Sequence, residues 1–248
     1  MKNKLTIIIL AFALAILNVG IADAQIKLVH SSNGGGNTPT NYTYVDLGLP
    51  SGTLWATCNV GANNPWEAGD YFAWGETKPK SKYTWGNYKY AANGDASKLT
   101  KYCHDSQNGN NGFIDNLGVL QASDDAATVN MGSAWRMPAY KEWEELTKNC
   151  NCEWTNNYLG KGVKGYIVKN KRDSNKFIFL PAASCYGGEN GEFLILPDDD
   201  VRGFYWSSTI YKESPIGAWG MSFFYRYMGT DNNLSDRAIG QNVRAVRK

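Results

Sequence analysis

The sequence predicts a single α+β domain of short antiparallel strands and long loops, with two or so helices. From position 42 onward, Gly, Pro and Asn recur roughly every ten to fifteen residues and separate short apolar runs, a pattern typical of strands joined by turns. Only two segments have the residue pattern of a helix start. Hydrophobic residues make up 43% and charged residues 19% of the chain, which excludes a disordered acidic or basic tail protein.

The first 24 residues have the features of a signal peptide. Lys2 and Lys4 precede an apolar run from Leu5 to Ile21, and Ala22 and Ala24 lie where signal peptidase recognises small residues. We therefore expect an exported protein that is periplasmic, at the cell surface or secreted, with no membrane insertion after cleavage. A transmembrane anchor is the alternative, because the run is near the shortest that spans a bilayer.

Residues 25–41 are predicted to form a flexible linker. The stretch 31–40 reads SSNGGGNTPT and contains no core-forming side chain. No later stretch rich in Pro, Gly and Ser indicates a second boundary, so the domain is expected to cover residues 42–248.

Within the domain, the helices and strands are predicted from local patterns. Asp124 and Asp125 precede a short apolar stretch, as acidic residues do at a helix N-terminus. Pro138 opens a second helix that extends to about Lys148, with apolar side chains three apart on one face. Strands are predicted at 165–168 and 176–180, as a hairpin, and at 204–208, 218–225 and 238–246.

The charge balance and the cysteines limit the possible partners. Lys+Arg number 25 and Asp+Glu 23, and without the leader the counts are 23 and 22, so no basic surface for nucleic acid is expected. We expect neither a cofactor nor a metal, because the chain lacks zinc-ligand spacing and the run 198–200 lacks the pattern of a calcium loop. Buried free thiols are expected, with one bridge between distant cysteines as the alternative, at Cys58, Cys103, Cys150, Cys152 and Cys185.

Six motifs in order resemble a known family, the Fibrobacter succinogenes major paralogous domain, which is abundant in exported proteins of gut Bacteroidetes. The resemblance covers about residues 44 to 247. The motifs are YVDLGLPSGTLWAT at 44–57, GDYFAWGE at 69–76, WRMP at 135–138, FLPAA at 179–183, YWSS at 205–208 and VRAV at 243–246.

The resemblance implies a C-type-lectin-like fold. The same fold occurs in formylglycine-generating enzymes, in adhesin tips and in hypervariable binding proteins made by diversity-generating retroelements. In those binding proteins the C-terminal part displays variable side chains on a rigid frame, and here that part would lie between 208 and 243. One departure is Ala139, where the family often has a capping Thr or Ser. Glu142 keeps the other capping-box position, so the helix is expected to persist with a cap weaker by about 1 kcal/mol.

The C-terminal part also has the composition of a recognition surface. The chain contains 9 Trp and 15 Tyr, and aromatic rings with polar tips stack on sugars or peptide side chains while Asn and Arg add hydrogen bonds. For Trp206 and Trp219 the alternative to a binding role is a position in the core, because each lies in a strand-like run. The predicted ligand-binding residues are Tyr211, Lys212, Glu213, Trp219, Tyr225, Tyr227, Asn232, Asn233, Asp236 and Arg237.

No catalytic residues are predicted. The chain has two histidines, and His30 falls in the linker, so a Ser-His-Asp triad would depend on His104 alone. The formylglycine-generating branch of the fold uses a pair of cysteines in its C-terminal half, where Cys185 stands alone. The sequence thus favours a non-catalytic module that binds a glycan or a host or bacterial surface protein. A structural subunit of a surface assembly and an enzyme, glycan-active or formylglycine-generating-like, are the alternatives.

Overall fold

The computed structural model has a mixed α+β fold in which strands predominate, and it describes residues 27–29, 42–197, 200–230 and 234–248. Two α-helices lie in this part of the chain, α1 (Ala126–Met131) and α2 (Tyr140–Asn149). The strands are β1 (Lys27–Val29), β2 (Tyr42–Asp46), β3 (Leu54–Asn59), β4 (Tyr71–Phe72), β5 (Cys150–Thr155), β6 (Gly165–Asn170), β7 (Phe177–Pro181), β8 (Tyr186–Gly187), β9 (Glu192–Phe193), β10 (Gly203–Ile210), β11 (Gly217–Phe224), β12 (Tyr227–Gly229), β13 (Leu234–Asp236), β14 (Gln241–Asn242) and β15 (Arg244–Arg247).

The described strands form four sheets. The first has the order β1-β2-β3-β15, and the second has the order β12-β11-β10-β14-β4 with β13 also paired to β11. The third sheet is β5-β6-β7 and the fourth is the pair β8-β9. All of these pairings are antiparallel except that of β10 with β14. None of the helices in the described ranges has the length and apolar character that crossing a bilayer requires.

Strand β10 separates two hydrophobic clusters. Trp206 belongs to one cluster and Tyr205 to the other, as expected where successive side chains point to opposite faces of a sheet. The same alternation occurs on β3, where Trp55 and Ala56 face different clusters. All four side chains are at most 1% exposed, so both faces of β10 and β3 are buried at these positions.

Two buried tryptophans connect distant segments through hydrogen bonds. The Trp74 Nε1–H donates to the Ser207 carbonyl at 2.8 Å, and the Trp206 Nε1–H donates to the Phe72 carbonyl at 2.7 Å. Each indole is fully buried, so its donor needs such a partner. The segments around residues 72 and 206 are thereby fixed against each other.

The C-terminal strand β15 joins further segments. Arg244 is fully buried and donates to the carbonyls of Ala56 at 3.1 Å and Phe179 at 2.9 Å. The backbones of Arg136 and Val246 exchange two hydrogen bonds, of 3.0 and 2.9 Å. Residues that lie more than a hundred positions apart therefore meet at β15.

Both predicted helices are present. Asp125 caps α1, with Oδ1 accepting from the Thr128 amide at 2.9 Å, as the acidic start predicts. Helix α2 begins at Tyr140, two residues after Pro138. Its first turn has half a capping box, because Glu142 Oε2 accepts from the Ala139 amide at 2.8 Å but alanine has no side-chain oxygen to return the bond.

The predicted hairpin at 165–180 is confirmed as β6 and β7, but two other expectations need correction. Lys27–Val29, inside the predicted linker, forms an edge strand on β2, since Leu28 and Val29 favour strand. The predicted strand at 238–246 is two strands in different sheets, because β14 pairs with β4 and β10 whereas β15 pairs with β3. The predicted signal peptide and the run 31–40 lie outside the described residues. All five cysteines are free thiols, of which Cys58 and Cys152 are only half-buried.

Candidate functional site

Three aromatic rings form a surface cluster beside the connection between β10 and β11. The Tyr140 and Trp219 rings have centroids 4.6 Å apart, and the Tyr211 ring stands perpendicular to Trp219 with centroids 5.0 Å apart. All three side chains are half-buried, so each ring keeps part of its surface in contact with solvent. We call Tyr140, Tyr211 and Trp219 the ring platform.

Regular backbone structure positions the ring platform. Trp219 lies on β11, and Tyr140 is the first residue of α2, whose amide donates to Thr209 Oγ1 at 3.1 Å. Tyr211 follows β10 directly, and its amide donates to the Gly217 carbonyl at 3.2 Å. The rings are thus held by a helix start and by both ends of one hairpin connection, which limits the conformational entropy lost on binding.

Charged residues neighbour the platform along the chain and across the sheet. Lys212 and Glu213 are exposed on the connection next to Tyr211. Asp236 is exposed and its backbone pairs with Gly217, which places it at the same end of β11. The platform therefore combines ring faces with both signs of charge, the combination that orients a polar ligand on an aromatic surface. Asn232 and Asn233, which are predicted to bind the ligand, lie outside the described residues.

Arg237 is not a surface ligand, and this corrects the prediction. Its side chain is fully buried, and its guanidinium donates to Tyr88 Oη at 2.9 Å and to the carbonyls of Tyr102 at 3.1 Å and Pro215 at 2.9 Å. The guanidinium also lies 5.0 Å from the centre of the Trp74 ring. Pro215 belongs to the connection that carries Tyr211, Lys212 and Glu213. Arg237 therefore stabilises this connection from the protein interior.

Tyr225 and Tyr227 belong to a second surface at the opposite end of β11. The two-residue turn between β11 and β12 exposes Tyr225 and Arg226, and the Phe224 and Tyr227 rings stack with centroids 5.3 Å apart. The Tyr225 ring lies 6.2 Å from Trp154 of β5, and the Arg226 guanidinium lies 5.0 Å from the centre of the Tyr225 ring. We call residues 224–227 the hairpin tip.

The predicted residues therefore do not form one site. Trp219 and Tyr225 are six residues apart on or next to one extended strand, a separation of about 20 Å. Tyr211, Lys212, Glu213, Trp219 and Asp236 lie around the ring platform, whereas Tyr225 and Tyr227 lie at the hairpin tip.

Three residues of these surfaces were not predicted as site residues. Tyr140 and Trp154 come from segments that precede the C-terminal part by many residues, and they reach it only through tertiary packing. Tyr140 lies on α2, which packs on β11, and its ring thereby contacts Trp219. Arg226 has φ of 75°, a backbone conformation that the sequence does not indicate for an arginine.

The residues considered for catalysis or for metal binding have the following surroundings. Cys103 is buried, its Sγ–H donates to the Asp105 carbonyl at 3.1 Å, and burial raises the pKa of the thiol. His104 is half-buried in the same loop. Across the described ranges, no group of three His, Cys, Asp or Glu side chains is arranged to hold a metal ion. Asp200 forms an ion pair with Arg202 at 2.8 Å, while Asp198 and Asp199 lie outside the described residues.

Comparison of the chain with protein-family models, with curated proteins and with solved structures gave no match.

Proposed function

We propose that the chain is an exported, non-catalytic ligand-binding or adhesion module of C-type-lectin-like fold. Its ligand is a glycan or a surface protein of a host or a bacterium. The ring platform carries this proposal, because three oriented aromatic rings with Lys212, Glu213 and Asp236 around them provide stacking and hydrogen bonding on a preformed surface.

Contacts among the six motifs support the resemblance to the major paralogous domain. The motif at 69–76 is hydrogen-bonded to the one at 205–208 through Trp74 and Trp206. The motif at 243–246 contacts those at 44–57 and 179–183 through Arg244, and the one at 135–138 through backbone hydrogen bonds. Segments that carry the resemblance are thus the ones that hold the interior together, as expected for motifs that define a fold.

The test is an array of glycans and of host and bacterial surface proteins, probed with the purified protein in multimeric form. We expect binding with about micromolar affinity per module, amplified by multivalency. Binding to one class of glycan would identify a lectin-like module, and binding to proteins alone would identify a protein adhesin. Absence of binding across the array would contradict the proposed function.

A structural subunit of a surface assembly is the second candidate, and an exposed apolar cluster favours it. Phe193, Leu194 and Ile195 are 42%, 37% and 89% exposed. They border a cavity of about 310 Å³ that Leu196 and Val201 also line. Contiguous apolar surface of this kind is typical of interaction sites.

Sedimentation at increasing protein concentration tests this second candidate. A subunit that assembles through the cluster should associate, and Ile195→Asp should prevent association because it places a charge in the contact. Val129→Asp is the matched control, since Val129 is 47% exposed on α1, outside the cluster. A wild-type protein that stays monomeric throughout would rule out self-association through this surface.

A further inference from the structure

A cavity of about 480 Å³ lies between α1, the segment before α2 and the end of β15, and none of its lining residues belongs to the ring platform or the hairpin tip. This volume is within the range of sites for small molecules. The residues that matter for its chemistry are Val119, Leu120, Trp135, Met137, Arg247 and Lys248.

Three buried hydrogen-bond donors on two residues that line this cavity lack an acceptor. Arg247 Nε and Nη1 and Trp135 Nε1 are buried, and no atom of the described residues accepts a hydrogen bond from them. Buried polar groups in folded proteins are nearly always paired, so the two unpaired donors of the half-buried Arg247 side chain indicate a site for an acceptor.

Aromatic rings hold the Arg247 side chain at the cavity. Its guanidinium lies 5.2 Å from the centre of the Tyr44 ring and 5.6 Å from that of Trp135. Cation–π contact of this kind stabilises the charge without using its N–H groups. Neighbouring atoms cover Arg247 Nε and Nη1 in this conformation. A ligand therefore binds them once the guanidinium has rotated toward the cavity.

The charges around the cavity favour an anion. The Arg247 guanidinium forms no ion pair with a carboxylate in the described ranges, whereas Arg136 is neutralised by Glu142 at 2.6 Å. Asp125 is the acidic side chain in the lining, and burial raises the pKa of its carboxyl group. Its Oδ1 and Oδ2 accept backbone N–H groups, at 2.9 and 2.8 Å, rather than facing Arg247.

Part of the remaining wall is apolar, which favours a ligand with an apolar body. Val119, Leu120 and Met137 line the cavity beside the Trp135 ring. We propose that this cavity binds a small organic carboxylate with a flat apolar body, whose carboxylate accepts hydrogen bonds from Arg247. None of the lining residues belongs to the ring platform, and the existence of this site does not depend on the proposed function.

The proposal is tested by calorimetric titration of the whole protein with benzoate. Benzamide has the same ring without the charge, and sulfate is an anion without an apolar body. We expect benzoate to bind at least about tenfold more tightly than either, because only benzoate meets both parts of the cavity. Equal binding of benzoate and benzamide, or of benzoate and sulfate, would overturn the proposal, as would absence of benzoate binding.

Variants locate the binding. Arg247→Gln should weaken benzoate binding at least about tenfold, whereas Arg172→Gln, at an exposed arginine of the β6–β7 turn, should leave it unchanged. Because Arg247→Gln also removes two ring contacts, Ala122→Trp provides an independent test. Ala122 is exposed at the cavity, and a bulky ring there should block entry without removing a core contact. Unaltered benzoate binding in either variant would contradict the proposed site.

Discussion

Two arginines, Arg237 and Arg244, are fully buried, and neither has a carboxylate partner among the described residues. Carbonyl oxygens surround both guanidinium groups instead, and burial lowers the pKa of Arg244. Their planar forks of donors reach several backbone segments at once, which a lysine in the same place would not do. These two side chains therefore determine how the loops and the C-terminal strands are held.

Arg237→Met should destabilise the protein by about 3 kcal/mol, because it leaves several buried acceptors without a donor. The carbonyl of Pro215 is one of these acceptors, so the connection that carries Tyr211 should also lose its support. Urea unfolding measures the stability. Arg226→Met at the exposed hairpin tip is the control, and a similar loss in both variants would contradict the role assigned to Arg237.

Asp124 should control part of the acid sensitivity of the fold. Burial acts to raise the pKa of its carboxyl, but hydrogen bonds from Lys101 at 2.6 Å, from Tyr102 at 2.7 Å and from Tyr90 and Lys89 outweigh burial and lower it. A pKa that is lower in the folded than in the unfolded chain stabilises the fold above the unfolded value of about 4, and this stabilisation is lost as the pH falls further.

Unfolding by urea between pH 7 and pH 3 tests this. Asp124→Asn should lower stability at pH 7 by about 2 kcal/mol, and its stability should fall less steeply with acid than that of the wild type. Glu189→Gln, at an exposed carboxylate, should retain the wild-type pH profile. An Asp124→Asn profile parallel to that of the wild type would show that Asp124 does not contribute to the acid sensitivity.

At the scale of elements, the start of α2 lacks a complete helix cap. Ala139 occupies the cap position in the extended conformation that caps require, with φ of −70° and ψ of 159°, but it offers no acceptor to the first turn. This start holds Tyr140 in the ring platform, so the stability of the cap and the position of a binding residue are linked.

Ala139→Ser should stabilise the protein by about 1 kcal/mol, because a hydroxyl completes the capping box with Glu142. Thermal or urea unfolding measures the gain. Ala139→Val adds volume without an acceptor and should give no gain. An equal effect of serine and valine would mean that packing rather than capping limits the stability of α2.

The hairpin of β10 and β11 is the element that organises both aromatic surfaces. Its connection carries Tyr211, and the turn that follows β11 carries Tyr225. Since each strand has eight residues, the two surfaces lie at opposite ends of a rigid, largely buried ribbon. A small ligand bound at one end therefore does not reach the other end.

At the scale of the whole molecule, local patterns predicted the elements whose formation depends on nearby residues. The hairpin at 165–180 and the cap at Asp125 belong to this group. The division of 238–246 into two strands was not predictable, because the change of sheet at Val243 depends on partners such as β4 and β3, which are distant in the chain. Local propensity does not report such pairings.

The sequence predicts several residues of the candidate site but not their arrangement in space. Loop position and composition indicated Tyr211, Lys212 and Glu213, which the structure places together at the surface. The prediction that Arg237 binds the ligand was wrong, because arginine is seldom fully buried and the carbonyl partners of this one come from separate segments. Tyr140 was missed because its proximity to Trp219 depends on the packing of α2 against β11.

The most direct test of the ring platform compares two single substitutions for affinity toward the strongest hit of the glycan and protein array. Tyr211→Ala removes a ring from the platform, and Tyr225→Ala removes a ring from the hairpin tip about 20 Å away. We predict that Tyr211→Ala weakens binding at least about tenfold and that Tyr225→Ala changes it less than about twofold. Loss of affinity in Tyr225→Ala with wild-type affinity in Tyr211→Ala would contradict the assignment and place the binding surface at the hairpin tip.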